Sequence, residues 1–315
     1  MAMTLTGFPD SISPALKSIF ENDFEKKIPY RANMYQMSKT TQQVVRVTSG
    51  GAFREVPKYT GVVQQDTPFE GYGRSIVQEE YAMYFSVQRA LQLTQQLPIV
   101  KIELKEFSSA VADTLEHHAM KVFNFAFDTG AENLLGDGQP LVAAAHPNKD
   151  GSPAQDNRIG NAAGVVVSHG AIKALHAQAQ QLKNDRGRPE RAYIDGLVFN
   201  PAKTVEFMES INSTDDPATP SRNTNILNGN LFERIEGYDQ KRMKLFSTPL
   251  LDNPNWWFGV NTRLMKMMLA WYTIQEPVFE KATEMSTLEL RHQVYMYHGN
   301  GPRGWRWIWG SQAAS

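Results

Sequence analysis

Cysteine is absent from this 315-residue chain. That excludes disulfides, thiolate metal sites and a cysteine nucleophile. An excess of basic charge is also missing. Lys plus Arg number 32 and Asp plus Glu 33, for a net charge of −1. Dedicated nucleic-acid binders are usually basic, so this balance argues against one, but not against a protein that encloses nucleic acid. No apolar run approaches the ~18 residues of a membrane span. Met1 to Asp10 lack the charged region and apolar run of a signal peptide. These features predict a chain made and used in a cytoplasm, with no membrane partner. There is no GxxxxGK[ST] phosphate loop and no HExxH pair. Hydrophobic residues make up 41% and charged residues 21%, enough apolar content for a substantial core.

The feature that stands out is a stretch that does not bury its own apolar face. Residues 43–90 read as a long two-stranded arm. It opens with Gln43-Val44-Val45-Arg46-Val47-Thr48, breaks at Gly50-Gly51 and passes Phe53, Val56 and Tyr59. It then loops through Pro68, Gly71 and Gly73. The return strand alternates, with Val77, Tyr81, Met83, Phe85 and Val87 on one face and Gln78, Glu80, Ser86 and Gln88 on the other. An isolated ribbon is marginal in water, so one this long is expected to lie on a neighbour.

Ser11 or Ser13 with Pro14 predicts a first helix to about Lys27, stopped by Pro29. Residues 29–42 read as an extended connector. A long helix is predicted from after Pro98 to about Asp128, on the spacing of Val100, Leu104, Phe107, Val111, Leu115, His118, Val122 and Phe125. Residues 130–162 are loop-rich. Ser168 caps a third helix through Lys183, Leu197 to Pro201 is a short buried strand, and a helix with Val205, Phe207 and Met208 follows. Residues 212–230 read as an exposed loop. Strands are expected near 231–236, 242–248, 256–261 and 264–272, and a late one with Leu288, Leu290, Val294 and Met296. Gly299 to Gly304 predicts a hairpin, with Trp305, Trp307 and Trp309 on one face of its return strand.

Candidate chemical groups favour structural roles. His117 and His118, near Asp113 and Glu116, point about 100° apart on a helix and do not share an ion easily. His146 near Asp137 has the residue types of a general base, but no serine nucleophile in a strand-turn-helix context accompanies it. It reads as a loop-bracing histidine that hydrogen-bonds backbone. Gly299-Asn300-Gly301-Pro302-Arg303-Gly304 matches GxGxxG only as a string, since no helix follows. Asn212-Ser213-Thr214 is a glycosylation triplet without a secretory signal. Arg291, Arg303, Arg306 and Lys281 are candidates for a DNA-facing basic surface, but an ordinary strand face with arginine stems over the Trp rings is favoured. Met265, Met267 and Met268 read as adaptable packing.

Asp137-Gly138-Gln139-Pro140-Leu141, His146-Pro147, Gly151 and Asn157 to Asn161 resemble the DGxxLF…HP…G…N stretch of Mu-like phage head subunits. Leu197 to Pro201 resembles the hydrophobic-Asn-Pro strand of the same proteins. The order of elements is similar to that of tailed-bacteriophage major capsid proteins of the Hong Kong 97-type fold, an α+β class. The resemblance implies an N-terminal arm (1–42), an extended β-hairpin loop (43–90), a peripheral domain with a spine helix (91–162), an axial domain (163–280) and return strands of the peripheral domain (281–315). It implies a non-enzymatic shell subunit, without cofactor or metal, assembling in the host cytoplasm through hexamers and pentamers into an icosahedral phage head, the virion capsid, around double-stranded DNA. Implied partners are copies of the chain, a portal, and scaffolding or decoration proteins. The chain starts at the arm with no acidic helical prefix, which in this family implies a separate scaffold or a removed prefix. Candidate intersubunit contacts are Arg54, Lys58, Glu79, Glu80, Tyr81, Met83 and Phe85. An encapsulin-like nanocompartment holding a cargo enzyme is the alternative.

Overall fold

The computed structural model describes residues 29–50, 55–63, 65–67, 70–88, 97–149, 151–160, 164–190, 192–213, 215, 225, 227, 243–283 and 289–313. The expected first helix, most of the expected loop at 212–230 and the strand at 231–236 lie outside them. The chain divides into two compact units. Unit 1 comprises residues 1–45, 76–119 and 271–300, and unit 2 comprises residues 46–75, 120–270 and 301–315.

Unit 1 is a helix on a sheet. Helix α1 (Pro29–Met34) and strand β1 (Gln36–Lys39) occupy the segment expected to be a connector. Pro29 therefore opens a helix rather than only closing one, as its preset φ suits the first helical position. The backbone N–H groups of Tyr30 and Arg31 donate to the Glu116 carboxylate at 3.0 and 3.3 Å. That carboxylate caps a helix start, while its burial pushes its pKa up. Its partners lie about 85 residues away, so no local pattern announces them.

The long helix, α2 (Leu97–Asn124), has 28 residues and spans ~42 Å. Its buried stripe runs Leu104, Phe107, Val111, Leu115, Ala119 and Phe123, with Ala112 and Met120 beside it. In its second half the expected stripe, through His118 and Val122, lies one position N-terminal of the buried Ala119 and Phe123, and Phe125 is exposed. The alanines explain this, because they are core positions that a count of large residues overlooks.

The sheet of unit 1 has the order β1-β8-β9-β4, with β4 spanning Glu79–Val87, β8 Leu269–Thr283 and β9 Leu290–Pro302. Strand β4 runs antiparallel to β9, with Tyr81 opposite Met296 and Phe85 opposite His292. The expected arm is corrected here. Only the start of its return strand, at Val77 and Gln78, pairs with residues 43–50; residues 79–87 sit in this four-stranded sheet. The short ribbon is formed instead by β2 (Val44–Gly50) and β3 (Glu70–Val77). Alternation identified the strand at 79–87 and the face that carries Tyr81, Phe85 and Val87, but not its partner, and at its start the faces are reversed, with Val77 exposed and Gln78 buried.

Unit 2 is built on a sheet of order β10-β7-β5-β6. Here β5 is Gly196–Phe199, β6 Lys244–Ser247, β7 Trp256–Val260 and β10 Ile308–Gln312. Strands β5 and β6 are parallel, and the other pairs are antiparallel. Strand β5 is buried at every position, as the hydrophobic-Asn-Pro motif predicts. Asn200 then caps the following turn, its side chain accepting from the Ala202 N–H. Helix α3 (His169–Gln180) begins at Ser168, whose hydroxyl accepts from the Ala171 N–H. Helix α4 (Thr204–Asn212) buries Phe207 but leaves Val205 and Met208 exposed.

Two further expectations are corrected. Of residues 264–272, expected as a strand, only 269–272 are one, the start of β8; Thr262–Met268 form helix α5, capped by the Asn261 side chain on the Leu264 N–H. The segment 299–304 is not a hairpin turn. Strand β9 runs through it to Pro302, and β10 pairs with β7 rather than with β9. Trp305, Trp307 and Trp309 are all buried in unit 2 instead of lining an open strand face. Trp307 meets Phe123 edge-on, and its Nε1 donates to the Gly304 carbonyl.

Candidate assembly surface

Residues 55–63, between β2 and β3, form the most exposed apolar segment described. Val56 is 90% exposed, Tyr59 69%, Val62 73% and Val63 84%. The side chains belong in a core, yet among the described residues nothing in their own unit covers them. The four are not scattered surface residues, which would need no explanation. They fall within eight consecutive positions, around a turn at Gly61 whose φ of +99° suits glycine.

The base of this segment is held by cations from the loop-rich part of unit 2. Lys149 Nζ donates to the carbonyls of Glu70 and Gly71 and stands over the Tyr72 ring. Arg186 pairs with Asp66 at 3.2 Å and donates to the Thr67 carbonyl at 2.9 Å. Arg74 donates to the Glu132 carbonyl at 2.9 Å. Gly136 closes the contact. A Cβ there would stand 2.4 Å from the Gly73 carbonyl oxygen, so only glycine lets the two backbones approach. Donors that reach main-chain carbonyls fix where the ribbon emerges, whatever side chains it carries.

The segment that supplies Lys149 is itself braced. The ring nitrogens of His146 face Asp137 Oδ2 at 2.7 Å and Asn157 Oδ1 at 3.2 Å. The imidazole lies flat on Trp305, 4.3 Å between centroids and 9° between planes. Asn157 also accepts from the Ala143 N–H and donates to the carbonyls of Leu141 and Ile308. One buried amide thus ties the 137–157 loops to β10. His146 does brace the loop, but its ring partners are side chains. Its main chain pairs with Gln155. With both nitrogens committed and the residue fully buried, it is not placed to move protons for a substrate.

The structure separates the candidate contacts. Lys58, Glu79, Glu80 and Met83 are exposed. Tyr81 and Phe85 spend their rings within unit 1: Tyr81 meets His118 and His298, and Phe85 meets Phe107 and His292. Arg54 lies outside the described residues.

The other candidates fall in different places. His117 is exposed, whereas His118 Nδ1 faces His298 Nε2 at 3.0 Å. Among the described residues no three His, Asp or Glu side chains are grouped to hold a metal. Arg306 pairs with Asp185 at 2.7 Å and lies over Trp305, and Arg291 lies over Tyr84. Of the expected arginine cover, only the Arg306 guanidinium over Trp305 is found among the described residues; Arg291 covers a tyrosine, and the three Trp rings are buried rather than on a solvated strand face. Met265 is buried and Met267 exposed.

The clasp was not foreseen. Its donors lie 58 to 120 residues from their acceptors, and the acceptors are mostly carbonyls, so no spacing or residue type marks them. Charge-assisted bonds of this kind are worth about 1.5–3 kcal/mol each. The double variant Lys149→Met, Arg186→Met is therefore expected to raise the rate of protease cleavage within residues 55–67 at least tenfold. The remainder of unit 2 should keep its unfolding midpoint, as read by limited proteolysis beside thermal melting.

No family model matches the sequence, and no relative is detected among curated proteins. Solved structures do match over nearly the whole chain. A virus-like particle from Pyrococcus furiosus aligns at TM-score 0.54 and 10% identity, covering 94% of this chain and 97% of its own. The capsid of cyanophage P-SCSP1u aligns at 0.53 and 11% identity, covering 90% and 88%. The capsid of an empty GTA particle aligns at 0.52 and 11% identity, covering 90% and 89%. The chain has the α+β fold of these shells, the Hong Kong 97-type fold.

Proposed function

We propose that this chain is the major capsid protein of a tailed phage, closing through hexamers and pentamers into an icosahedral head around double-stranded DNA. The observation that carries the reading is the clasped loop with four uncovered apolar side chains, on a fold shared with capsids. A loop fixed at its base and oily at its tip suits a subunit whose neighbour completes it. In this reading residues 1–42 are the arm and 43–90 the extended loop. Residues 91–162 with 281–315 form the peripheral domain, and 163–280 the axial domain. Portal, scaffolding or decoration proteins would be its further partners, and assembly would occur in the host cytoplasm.

Magnitudes rank the contacts. Full burial of a Val or comparable apolar side chain is worth about 1.5–3 kcal/mol. A surface ion pair made by Lys58, Glu79, Glu80 or Arg54 is worth about 0–1 kcal/mol. Apolar overlap at the loop, with Met83 as a further exposed anchor, therefore outweighs the charges, which set register. Many such modest contacts make a closed shell persistent while single errors still dissociate.

The second reading is a protein nanocompartment that holds a cargo enzyme. The virus-like particle from Pyrococcus furiosus shares the fold and is covered nearly end to end, which keeps a shell without a phage head as an alternative. Negative-stain electron microscopy of the purified protein tests the shared premise: closed particles of uniform size are expected. A protein that stays monomeric at tens of micromolar, with and without co-expressed scaffold, would defeat both readings. Packaged DNA in particles from infected cells separates the first from the second.

A further inference from the structure

The seam between α2 and the sheet of unit 1 holds two histidines in an unusual setting. His298 on β9 lies between Trp271 of β8, at 4.7 Å and 13°, and Tyr81 of β4, at 5.1 Å and 27°. Six residues earlier on the same strand, His292 lies between Phe279 of β8, at 5.5 Å and 18°, and Phe85 of β4, at 5.1 Å and 20°. Helix α2 closes both sandwiches, with His118 against His298 and Phe107 against Phe85 and Phe279. The two imidazoles are 3% and 2% exposed.

His292 is the more telling of the two. Neither of its ring nitrogens has a hydrogen-bond partner among the described residues. A phenyl ring would fill the same slot without burying two unsatisfied polar atoms, each a net cost. The position thus sacrifices stability at neutral pH for a group that can take up a proton.

The surroundings oppose that proton. His292 faces Phe85, Phe107 and Phe279, and the charge that acts on it is Lys281. His298 faces Trp271, Tyr81 and His118, with Arg31 nearby. The carboxylates of the neighbourhood are engaged elsewhere. Glu79, opposite His298 in the strand register, accepts from the Tyr81 hydroxyl; Glu276 pairs with Arg31; Glu116 caps α1. Ring faces attract a cation, but that gain falls short of the hydration lost by a buried ion.

We propose that His292 and His298 make the α2–sheet seam of unit 1 an acid-sensitive latch, closed while both rings are neutral and released when they are protonated. Desolvation and the nearby cations lower His292 to about 4 and His298 to about 3, from 6.5. A histidine held down in this way contributes its full stability above pH 6.5 and loses it progressively as pH falls towards those values. At pH 5.0 proton uptake favours the opened seam about thirtyfold for each histidine, and at pH 7.5 hardly at all. The latch is a property of unit 1 and does not depend on the shell reading.

Hydrogen exchange at pH 7.5 and 5.0, corrected for intrinsic rates, tests the latch on the full chain. In the unmodified protein, protection of amides in 104–119 and 290–300 is expected to fall at least thirtyfold at pH 5.0. The double variant His292→Phe, His298→Phe should keep its protection at both pH values; His292→Leu, which also removes the proton acceptor, serves if the double variant does not fold, with the fall then expected to shrink by about the His292 share. Unit 2 carries its own buried histidine, His176, lowered to about 4 by burial, so a global acid melt does not discriminate but the exchange of unit 1 does. Unchanged protection of those segments in the unmodified protein overturns the latch. So does an undiminished fall in the variants.

Discussion

Leu104→Asp is expected to leave unit 1 unfolded at neutral pH, and Phe107→Asp to do the same. Both positions face inward on α2, 0% and 7% exposed. The substitution removes the packing of a large apolar group, typically 2–5 kcal/mol for a truncated core residue. It also places a carboxyl where no partner waits, which adds several kcal/mol whether the group ionises or takes a proton. The sum rivals the ~5–15 kcal/mol that holds an ordinary domain together. Ile102→Asp is the matched control. It lies on the same helix two residues away, but is 58% exposed, and should change stability by no more than about 0.5 kcal/mol. Circular dichroism and limited proteolysis would read the contrast: loss of a cooperative transition for the first pair, a near-normal one for the control. Equal behaviour of Leu104→Asp and Ile102→Asp would contradict the inward face assigned to α2.

That contrast also shows what the sequence made legible. The periodic apolar spacing revealed α2 to within a few residues at each end, because one face of a long helix repeats enough to average out exceptions. Ser168 announced α3 because a cap is a local device. Elements whose cause is distant were missed. Helix α1 is capped by Glu116, far along the chain, and α5 was read as a strand because its Met and Leu residues are too few to show a period. The return strand 79–87 was recognised as β, yet assigned the wrong partner, since alternation describes a strand's faces and leaves its neighbour open. The site divides along the same line. Val56 and Tyr59 of the exposed loop and the bracing role of His146 were legible from residue type, whereas Val62 and Val63 were not singled out, and Tyr81, Phe85 and Val87, expected to be uncovered, pack within unit 1. The Lys149 and Arg186 clasp depends on backbone acceptors brought near by folding, and any lysine or arginine in those loops would have looked the same.

Replacing residues 55–63 by a short Gly-Ser linker is expected to abolish particle formation while leaving the subunit folded. Every residue described in that span is exposed, so its removal takes little from the core of unit 2. The clasp at Asp66, Thr67, Glu70 and Gly71 remains, so the flanking ribbon still leaves unit 2 at the same place. The association side loses far more. Four side chains, each worth about 1.5–3 kcal/mol if fully covered, no longer reach a neighbour. Only part of that gross sum appears in measured affinity, because ordering the loop and orienting two subunits consume the rest. Even a surplus of about 4 kcal/mol per contact means a factor of roughly a thousand in each pairwise equilibrium, and a closed shell repeats the contact at every subunit. Lys58→Ala, by comparison, removes a charge worth at most about 1 kcal/mol and should slow assembly without preventing it. Electron microscopy and analytical ultracentrifugation of the two variants separate these outcomes. If shells form normally from the shortened chain, the loop is not the joint between copies, and its exposed valines and tyrosine need another explanation.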